Sequence, residues 1–395
     1  MVSTLLFVSL TSSSESAVKF NIQSLFPFLV GGFFLFLIEY TQVLDWALVQ
    51  PTVVVLIGLA ILSSVVLLLS SSVVGHADRV AERVGQPYGT LVLTAAVMTI
   101  ELSLVASTML TGETNPTLAR DSMFSVVMIS LTGVTGASNI ISALKRRDLV
   151  SNGLLDTTQL AAPNLLGALT YFDLISTMCV LALVIPNFSR STSEANFSTP
   201  VNVVLTVVAL GVYAVFLTAQ MGRYRSLYSE RDLLIVSNIE DCDNESSILQ
   251  PLWQPTVFLI LGLLLVCLIA ESMGQLIETG ITDLGLPSSL AGVLVAGLIL
   301  APEALNALKA ASHGEVQRSM NTLYGSVVAT ISLTVPAVLI LGEITHTDVI
   351  LGLEPFEMVL LSLTLLLSYP HARLTGIEGL MKMVIFIFWI LLQVA

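Results

Sequence analysis

Eleven stretches of about 20 mainly apolar residues dominate this sequence and constrain its fold more than any other feature. A run of that length, coiled as an α-helix, crosses the hydrocarbon core of a bilayer. The chain is 55% hydrophobic and only 11% charged, which is far from the composition of a soluble globular domain. The sequence therefore predicts an all-α polytopic membrane protein. The predicted spans are residues 25–44, 51–74, 88–111, 121–144, 163–186, 200–222, 254–273, 287–309, 319–341, 349–369 and 379–395.

The spans and the polar segments between them predict a division of the chain into five parts. Residues 1–24 form an N-terminal tail, for which a signal peptide is the alternative, and residues 25–44 form an extra helix. Residues 51–222 hold spans two to six, and residues 254–395 hold spans seven to eleven. The acidic segment 223–253 separates them. It lacks the glycine and distal glutamate of an EF-hand, which favours a solvated linker over a regulatory cation site.

Basic residues are distributed unequally between the two sets of loops. With the N-terminus in the cytoplasm, the external loops contain only Arg120 and Arg190. Positive charge accumulates on the cytoplasmic side of membrane proteins, so the sequence predicts a cytoplasmic N-terminus and an external C-terminus. The basic residues of the cytoplasmic side are then Lys19, Arg79, Arg83, Lys145, Arg146, Arg147, Arg223, Arg225, Arg231, Lys309, Arg318 and Arg373.

Two glutamates lie deep inside apolar spans, in chain segments that resemble one another. Glu101 lies in span three and Glu303 in span eight. Ser125 opens SVVMISLT 24 residues after Glu101, and Ser326 opens SVVATISLT 23 residues after Glu303. Because the two glutamate spans are five apart, they enter the membrane from opposite faces. The pattern predicts two inverted five-helix repeats, an architecture typical of secondary transporters.

The two carboxyl groups are expected to meet near the middle of the membrane. Each lies about 20 Å from its own entry face, at roughly 1.5 Å of rise per residue, within a core about 30 Å thick. Pro302 precedes Glu303 and cannot donate to the carbonyl oxygen of Leu298. We therefore expect a broken helix that presents the Leu298 carbonyl together with Glu303. Intramembrane acids of this kind usually mark ion or proton paths.

Spans four and nine supply hydroxyl groups that are candidate supporting ligands of a cation. They are Ser125, Ser326 and Thr330, although close helix packing is the alternative role of small polar residues. Asp173, in the middle of span five, is the best candidate for an accessory proton group.

Carboxylate chemistry then suggests what such a site does. Burial disfavours a charged carboxyl group, whereas a bound cation favours it, so each glutamate can hold a proton or help to hold a cation. Oxygen ligands suit Ca2+, Na+ or K+ better than soft metals. The expected activity is proton-coupled cation exchange without a cofactor, and the expected partners are inorganic cations, protons and the lipid bilayer. The sequence contains no GxxxxGK[ST] phosphate loop and no basic patch suited to nucleic acid.

The segment GLILAPEALNALKAASHGEVQRSMNTLYGSVVATISLTVPAVLIL resembles the second signature repeat of bacterial calcium/proton antiporters of the ChaA type, in the calcium/cation antiporter superfamily. HADRVAERVGQPYGTLVLTAAVMTIELSLVAS, with LARDSMFSVVMISL, resembles the first repeat. The likeness covers most of residues 75–345. It implies an eleven-helix antiporter of the inner membrane in which Glu101 and Glu303 bind both cation and proton. It also implies that spans two and seven act as sliding gates.

The transported cation stays open between Ca2+ and the monovalent ions Na+ and K+. A sodium/calcium exchanger would need more acidic or amide ligands in spans four and nine, where Asn139 and Asn321 are the only amides. An intramembrane enzyme is disfavoured, because the spans contain neither an HExxH zinc helix nor an obvious nucleophile and base.

Overall fold

The computed structural model is helical throughout the part of the chain that it describes. Eight helices in that part are long and apolar enough to cross a membrane, and three further helices contain shorter apolar stretches, at Leu25–Thr41, Thr94–Ser107 and Pro355–Ser368. The all-α polytopic fold is confirmed, whereas the count of eleven spans stays a prediction. The described residues are 22–84, 88–111, 116–151, 163–189, 195–222, 224–228, 252–346, 349–371 and 375–394. Most of the predicted tail and most of the acidic segment lie outside them.

The first half of the chain forms helices α1 to α8. Their bounds are α1 Ile22–Thr41, α2 Val43–Leu48, α3 Thr52–Val84, α4 Tyr88–Thr111, α5 Leu118–Met128, α6 Thr135–Ser151, α7 Leu165–Cys179 and α8 Thr199–Met221. A π-helical segment, Ile129–Val134, joins α5 to α6 in one continuous span. A second π-helical segment, Val180–Val184, and a 3-10 turn, Ile185–Phe188, extend α7.

The second half forms helices α9 to α14. Their bounds are α9 Trp253–Leu284, α10 Ser289–His313, α11 Val316–Ala329, α12 Val335–Thr345, α13 Pro355–Ser368 and α14 Gly376–Val394. A π-helical segment, Thr330–Thr334, joins α11 to α12 in one span. We call the end of the bundle where α10 ends and α11 and α14 begin the basic face.

Helices α3 and α9 are longer than the apolar runs from which they were predicted. The helix α3 continues past residue 74 to Val84, and α9 continues past residue 273 to Leu284. The additional turns hold more polar and charged residues than the apolar runs before them, and a helix need not stop where its apolar run ends. The helix α9 stops at Gly285, whose φ of 63° is the left-handed conformation that glycine adopts without strain.

Helix pairs in one half of the chain have counterparts in the other half. The helices α3 and α9 pack against each other over most of their length. The contact of α4 with α9 is matched by that of α10 with α3, and the contact of α6 with α14 is matched by that of α12 with α8. Inverted duplication predicts this pairing, which surrounds the glutamate-bearing helices α4 and α10 with other helices.

The prediction that Arg120 lies in an external loop is wrong, because Arg120 belongs to a helix. It lies in the first turn of α5, it is buried, and its Nε donates to Asp121 Oδ1 at 2.7 Å. Its Nη1 also donates to the carbonyl oxygen of Gly352 at 3.0 Å. The hydrogen bond to Gly352 therefore ties the start of α5 to the segment that precedes α13, at the end of the bundle opposite the basic face.

The crossing of α6 and α14 depends on two glycines that bring the backbones into contact. A Cβ atom on Gly379 would lie 2.7 Å from the carbonyl oxygen of Gly136. Because that oxygen belongs to the backbone and cannot rotate away, we expect Gly379→Ala to destabilise the protein by about 1–3 kcal/mol. A lowered apparent Tm of the purified protein in detergent would show this effect. Gly211→Ala on α8, where the added Cβ meets nothing within 4 Å, should leave Tm unchanged or raise it.

Candidate cation site

One face of the span formed by α11 and α12 contacts both intramembrane glutamates. Thr330 Oγ1 donates to Glu101 Oε2, and Thr334 Oγ1 donates to Glu101 Oε1, each at 2.8 Å. Ser326, one turn earlier, lies beside the carboxyl group of Glu303. The three hydroxyl residues are spaced four apart, and they connect the two carboxyl groups through a single helix.

The two carboxyl groups lie close enough to interact electrostatically, as the inverted arrangement predicts. Glu101 is 1% exposed, and both of its oxygens accept a hydroxyl hydrogen bond. Glu303 differs, because its Oε2 is buried and has no hydrogen-bond partner in the described part of the chain. A buried carboxyl oxygen without a partner is costly unless a proton or a cation satisfies it. Glu303 Oε2 is therefore the most available ligand atom of the site.

The helix that carries Glu303 is not broken, which corrects the expectation drawn from Pro302. The helix α10 runs without interruption from Ser289 to His313, with Pro302 inside it. A proline in a membrane helix is tolerated where neighbouring helices support the backbone around it. Pro302 still donates no hydrogen bond to the Leu298 carbonyl, so this oxygen remains a predicted ligand although the helix stays continuous.

The hydroxyls of the first repeat do not mirror those of the second. Ser125 Oγ donates to the backbone carbonyl of Asp121 at 2.6 Å, and the Thr132 hydroxyl donates to that of Met128. Hydroxyls of this kind often hydrogen-bond the preceding turn of their own helix. The site is therefore asymmetric, with the hydroxyl contacts to both glutamates coming from the second repeat.

The π-helical segments in the middle of the two equivalent spans were not predicted. Each begins four residues after its repeat serine, at Ile129 and at Thr330. A π turn holds an extra residue and redirects the side chains that follow it, and such turns are common at functional sites. Ser130 and Ser332, at matching places in the two ISLT strings, are fully buried, and their hydroxyls lack hydrogen-bond partners among the described residues. The Ser130 and Ser332 hydroxyl oxygens are therefore further candidate ligand atoms near the middle of these spans.

The candidate polar residues differ in whether they contact the glutamates. Thr334, which was not among the predicted ligands, contacts Glu101 as closely as Thr330 does. Its spacing of four from Thr330, continuing the step from Ser326, is the signal that could have identified it. Asp173 is exposed on the surface of α7, whereas both glutamates have buried carboxyl oxygens. This position does not support the predicted role of Asp173 as an accessory proton group, which stays a prediction.

A polytopic membrane fold with two glutamates inside its helix bundle is the arrangement expected of an ion transporter. The chain belongs to the sodium/calcium exchanger protein family, whose model matches residues 50–222 and 254–395. The protein is therefore an integral membrane cation exchanger of the calcium/cation antiporter superfamily, and the resemblance found in the two repeats is confirmed.

Relatives of known name agree with this assignment. The chain is 33% identical to the sodium-potassium/proton antiporter ChaA of Escherichia coli (strain K12) over 347 residues, which cover 85% of this chain and 89% of the relative. The solved structure of native YfkE matches with a TM-score of 0.67 at 16% identity, covering 94% of this chain and 99% of that one. The structure of the H+/Ca2+ exchanger CAX matches with a TM-score of 0.58 at 14% identity, covering 93% and 88%. These two structures show the shared fold.

Proposed function

We propose that the protein exchanges Ca2+ for protons across the bacterial inner membrane, with Glu101 and Glu303 as the shared ligands of both ions. The single observation that carries this proposal is the closeness of the buried Glu101 carboxyl group to that of Glu303, whose buried Oε2 has no hydrogen-bond partner among the described residues. Two carboxylates neutralise one divalent cation. When the cation leaves, the same oxygens can take up protons, because an empty pair of buried carboxylates is costly.

The other ligands of the cation would come from uncharged oxygens around the glutamates. Ser326 and Thr330 lie beside the carboxyl groups, while Ser125 would have to turn away from the Asp121 carbonyl to take part. The carbonyl oxygen of Leu298 is one turn before Glu303 on α10. Hard oxygen ligands in this number suit Ca2+, which accepts six to eight of them in flexible geometry.

Alternating access would follow from movement of one repeat against the other, namely residues 51–222 against residues 254–395. We assign the sliding gates to α3 and α9, which pack along each other and flank the glutamate helices. We place the basic face in the cytoplasm, together with the N-terminus, on the strength of the positive charge of its loops.

Exchange of Na+ or K+ for protons is the second candidate. The name of the Escherichia coli relative, which matches most of this chain, favours it. The chemistry of the site permits it, because a monovalent cation bound between two carboxyl groups would leave one of them protonated.

Transport in inverted membrane vesicles separates the two candidates. With an imposed acid interior, Ca2+ added to the bath should release protons, reported by recovery of a quenched pH-sensitive dye. We expect half-maximal recovery at a lower concentration of Ca2+ than of Na+ or K+. Recovery with Na+ or K+ but not with Ca2+ would establish the second candidate. No recovery with any of the three cations, in vesicles shown to contain the protein, would overturn both.

A further inference from the structure

A cavity with several polar side chains in its wall lies outside the cation site, between α6, α7, α11 and α14 and close to the basic face. It has a volume of about 30 Å3, which is room for one or two water molecules. The helix α6 lines it with hydroxyl and amide groups, α11 with Ser319 and Tyr324, and α14 with Glu378 and Lys382. None of the proposed cation ligands lines this cavity.

Lys382 is the feature of this cavity that the cation site does not explain. It lies in the apolar helix α14 and its side chain is 2% exposed. Its Nζ is 3.3 Å from Glu378 Oε1, one turn nearer the basic face, where the carboxylate is 12% exposed. A charged side chain inside a membrane helix is costly and is usually functional. The pair therefore places a fixed positive charge at depth and a carboxylate at the mouth of the cavity.

Two buried polar atoms on the cavity wall have no hydrogen-bond partner within the described ranges. They are Nδ2 of Asn139, a residue that is 5% exposed, and Oγ of Ser368, a residue that is 1% exposed. The Lys382 ammonium has three N–H donors, and Glu378 accepts one of them. Water in the cavity would satisfy these groups, because a buried water needs two to four polar partners and the space is sufficient.

A series of hydroxyls continues from the cavity towards the π-helical segment of the first repeat. Ser319 Oγ donates to Ser138 Oγ at 3.2 Å, and Thr135 Oγ1 donates to the carbonyl oxygen of Ser130 at 2.6 Å. Ser138 and Thr135 line the cavity, and Ser130 lies inside the π segment, where its hydroxyl has no hydrogen-bond partner among the described residues. These hydroxyls place polar atoms at intervals between the basic face and the middle of the span.

We propose that this cavity is a hydrated proton branch, distinct from the route of the metal cation, in which Glu378 exchanges protons with the aqueous phase and Lys382 excludes metal cations. A proton released by the Glu101 and Glu303 pair passes through the π segment to a cavity water, that water gives one of its own protons to the Glu378 carboxylate, and the Glu378 carboxyl group then releases it to the bath. No other bond is made or broken. The ammonium repels a metal cation, whereas water and hydroxyls transfer a proton without any heavy atom entering.

Few titratable or charged side chains line the cavity. The titratable groups on the cavity wall are Glu378 and Lys382 of α14, His371 of the segment before it, and Tyr324 of α11. The lining residues of α6 and α7 are uncharged, namely Thr135, Ser138, Asn139, Ser142 and Ala168. Glu378 is therefore the only carboxyl group among the lining residues.

The test is Glu378→Gln in inverted vesicles, and it rests on the proposed exchange being present in the unmodified protein. We expect exchange to slow about tenfold in weakly buffered medium, as for loss of a positioned proton acceptor. A high concentration of a membrane-impermeant buffer in the bath, which accepts protons at the mouth, should restore most of the rate. The KM for the cation should stay within about twofold. The matched control is Glu315→Gln, which removes a carboxylate exposed near the start of α11 and should change neither quantity.

A structural role of Glu378 predicts a different result, namely a loss of rate that the impermeant buffer does not restore, and this would overturn the proposal. A tenfold rise in the cation KM would overturn it as well, because the cavity would then belong to the cation route. Lys382→Met provides a second test, in which excess cation in the bath should inhibit exchange; simple saturation, as in the unmodified protein, would contradict exclusion by Lys382. Absence of exchange in the unmodified protein would instead reject the proposed function.

Discussion

Glu303→Gln is expected to abolish exchange, with the initial rate falling at least about 100-fold relative to the unmodified protein. The amide has nearly the shape of the carboxyl group, but it carries no negative charge and releases no proton. It therefore removes one of the two charges that would neutralise the cation, together with the oxygen that lacks a partner, Glu303 Oε2. Removing a charge-assisted contact from a buried site typically costs several kcal/mol, and each 1.4 kcal/mol is a factor of ten.

The measurement is dye-reported proton release in inverted vesicles, with the amount of each variant in the membrane determined alongside. Glu343→Gln is the matched control, because Glu343 is an exposed carboxylate near the end of α12. The control should retain the full rate. If Glu303→Gln retained more than a tenth of the rate, Glu303 would not be a ligand of the transported ions. Glu303→Asp should keep partial activity, since it keeps the charge and shortens the reach.

The positions of the helices in the sequence could be predicted well because lipid imposes a single strong rule. The third predicted span, residues 88–111, has the bounds of α4, Tyr88–Thr111. The extensions of α3 and α9 were missed because their polar turns lie beyond the apolar run and carry no hydropathy signal. Hydropathy reports where a chain must be helical in lipid, and it does not report where a helix ends in water.

The candidate site was predictable to the level of which residues approach one another. The predicted inverted repeat places Glu101 and Glu303 at similar depths from opposite faces, and in the structure the two carboxyl groups lie close enough to interact electrostatically. The choice of hydroxyl partners was not predictable in the same way. The hydroxyl of Ser125 turns back to its own helix, whereas the repeat-equivalent Ser326 contacts a glutamate. A serine hydroxyl can donate a hydrogen bond either to its own helix or to a neighbouring carboxyl group. The packing of each span against its neighbours decides which of the two partners it meets.

The continuous helix through Pro302 and the π-helical segments share a physical cause. Both are local departures from regular hydrogen bonding, and their cost depends on what neighbouring helices supply. A sequence shows that proline cannot donate, but it does not show whether the surroundings hold the helix together. The π segments after Ser125 and Ser326 carry no Pro or Gly at their start, so the sequence contained no signal that predicts them.

The second large effect is expected from Thr330→Val combined with Thr334→Val. Each change replaces a hydroxyl by a methyl group of similar shape and leaves one Glu101 oxygen without its donor. Loss of one partner of a buried hydrogen bond costs about 1–3 kcal/mol, so we expect each single variant to raise the cation KM roughly 5- to 100-fold. The double variant should show the larger effect, since Glu101 then has neither donor and its ionised, cation-binding form is destabilised.

The KM of the double variant for the cation should also depend on pH. Protons compete with the cation for Glu101, so raising the pH repopulates the ionised carboxylate and should lower the KM of the double variant more than that of the unmodified protein. Thr322→Val, whose hydroxyl only donates to its own helix at Arg318, is the matched control on α11 and should leave the KM unchanged. A double variant with an unaltered KM would show that the two threonines pack against Glu101 without supporting its charge. The asymmetry of the site would then have no consequence for binding, and Glu303 with Ser326 would have to provide the selective contacts.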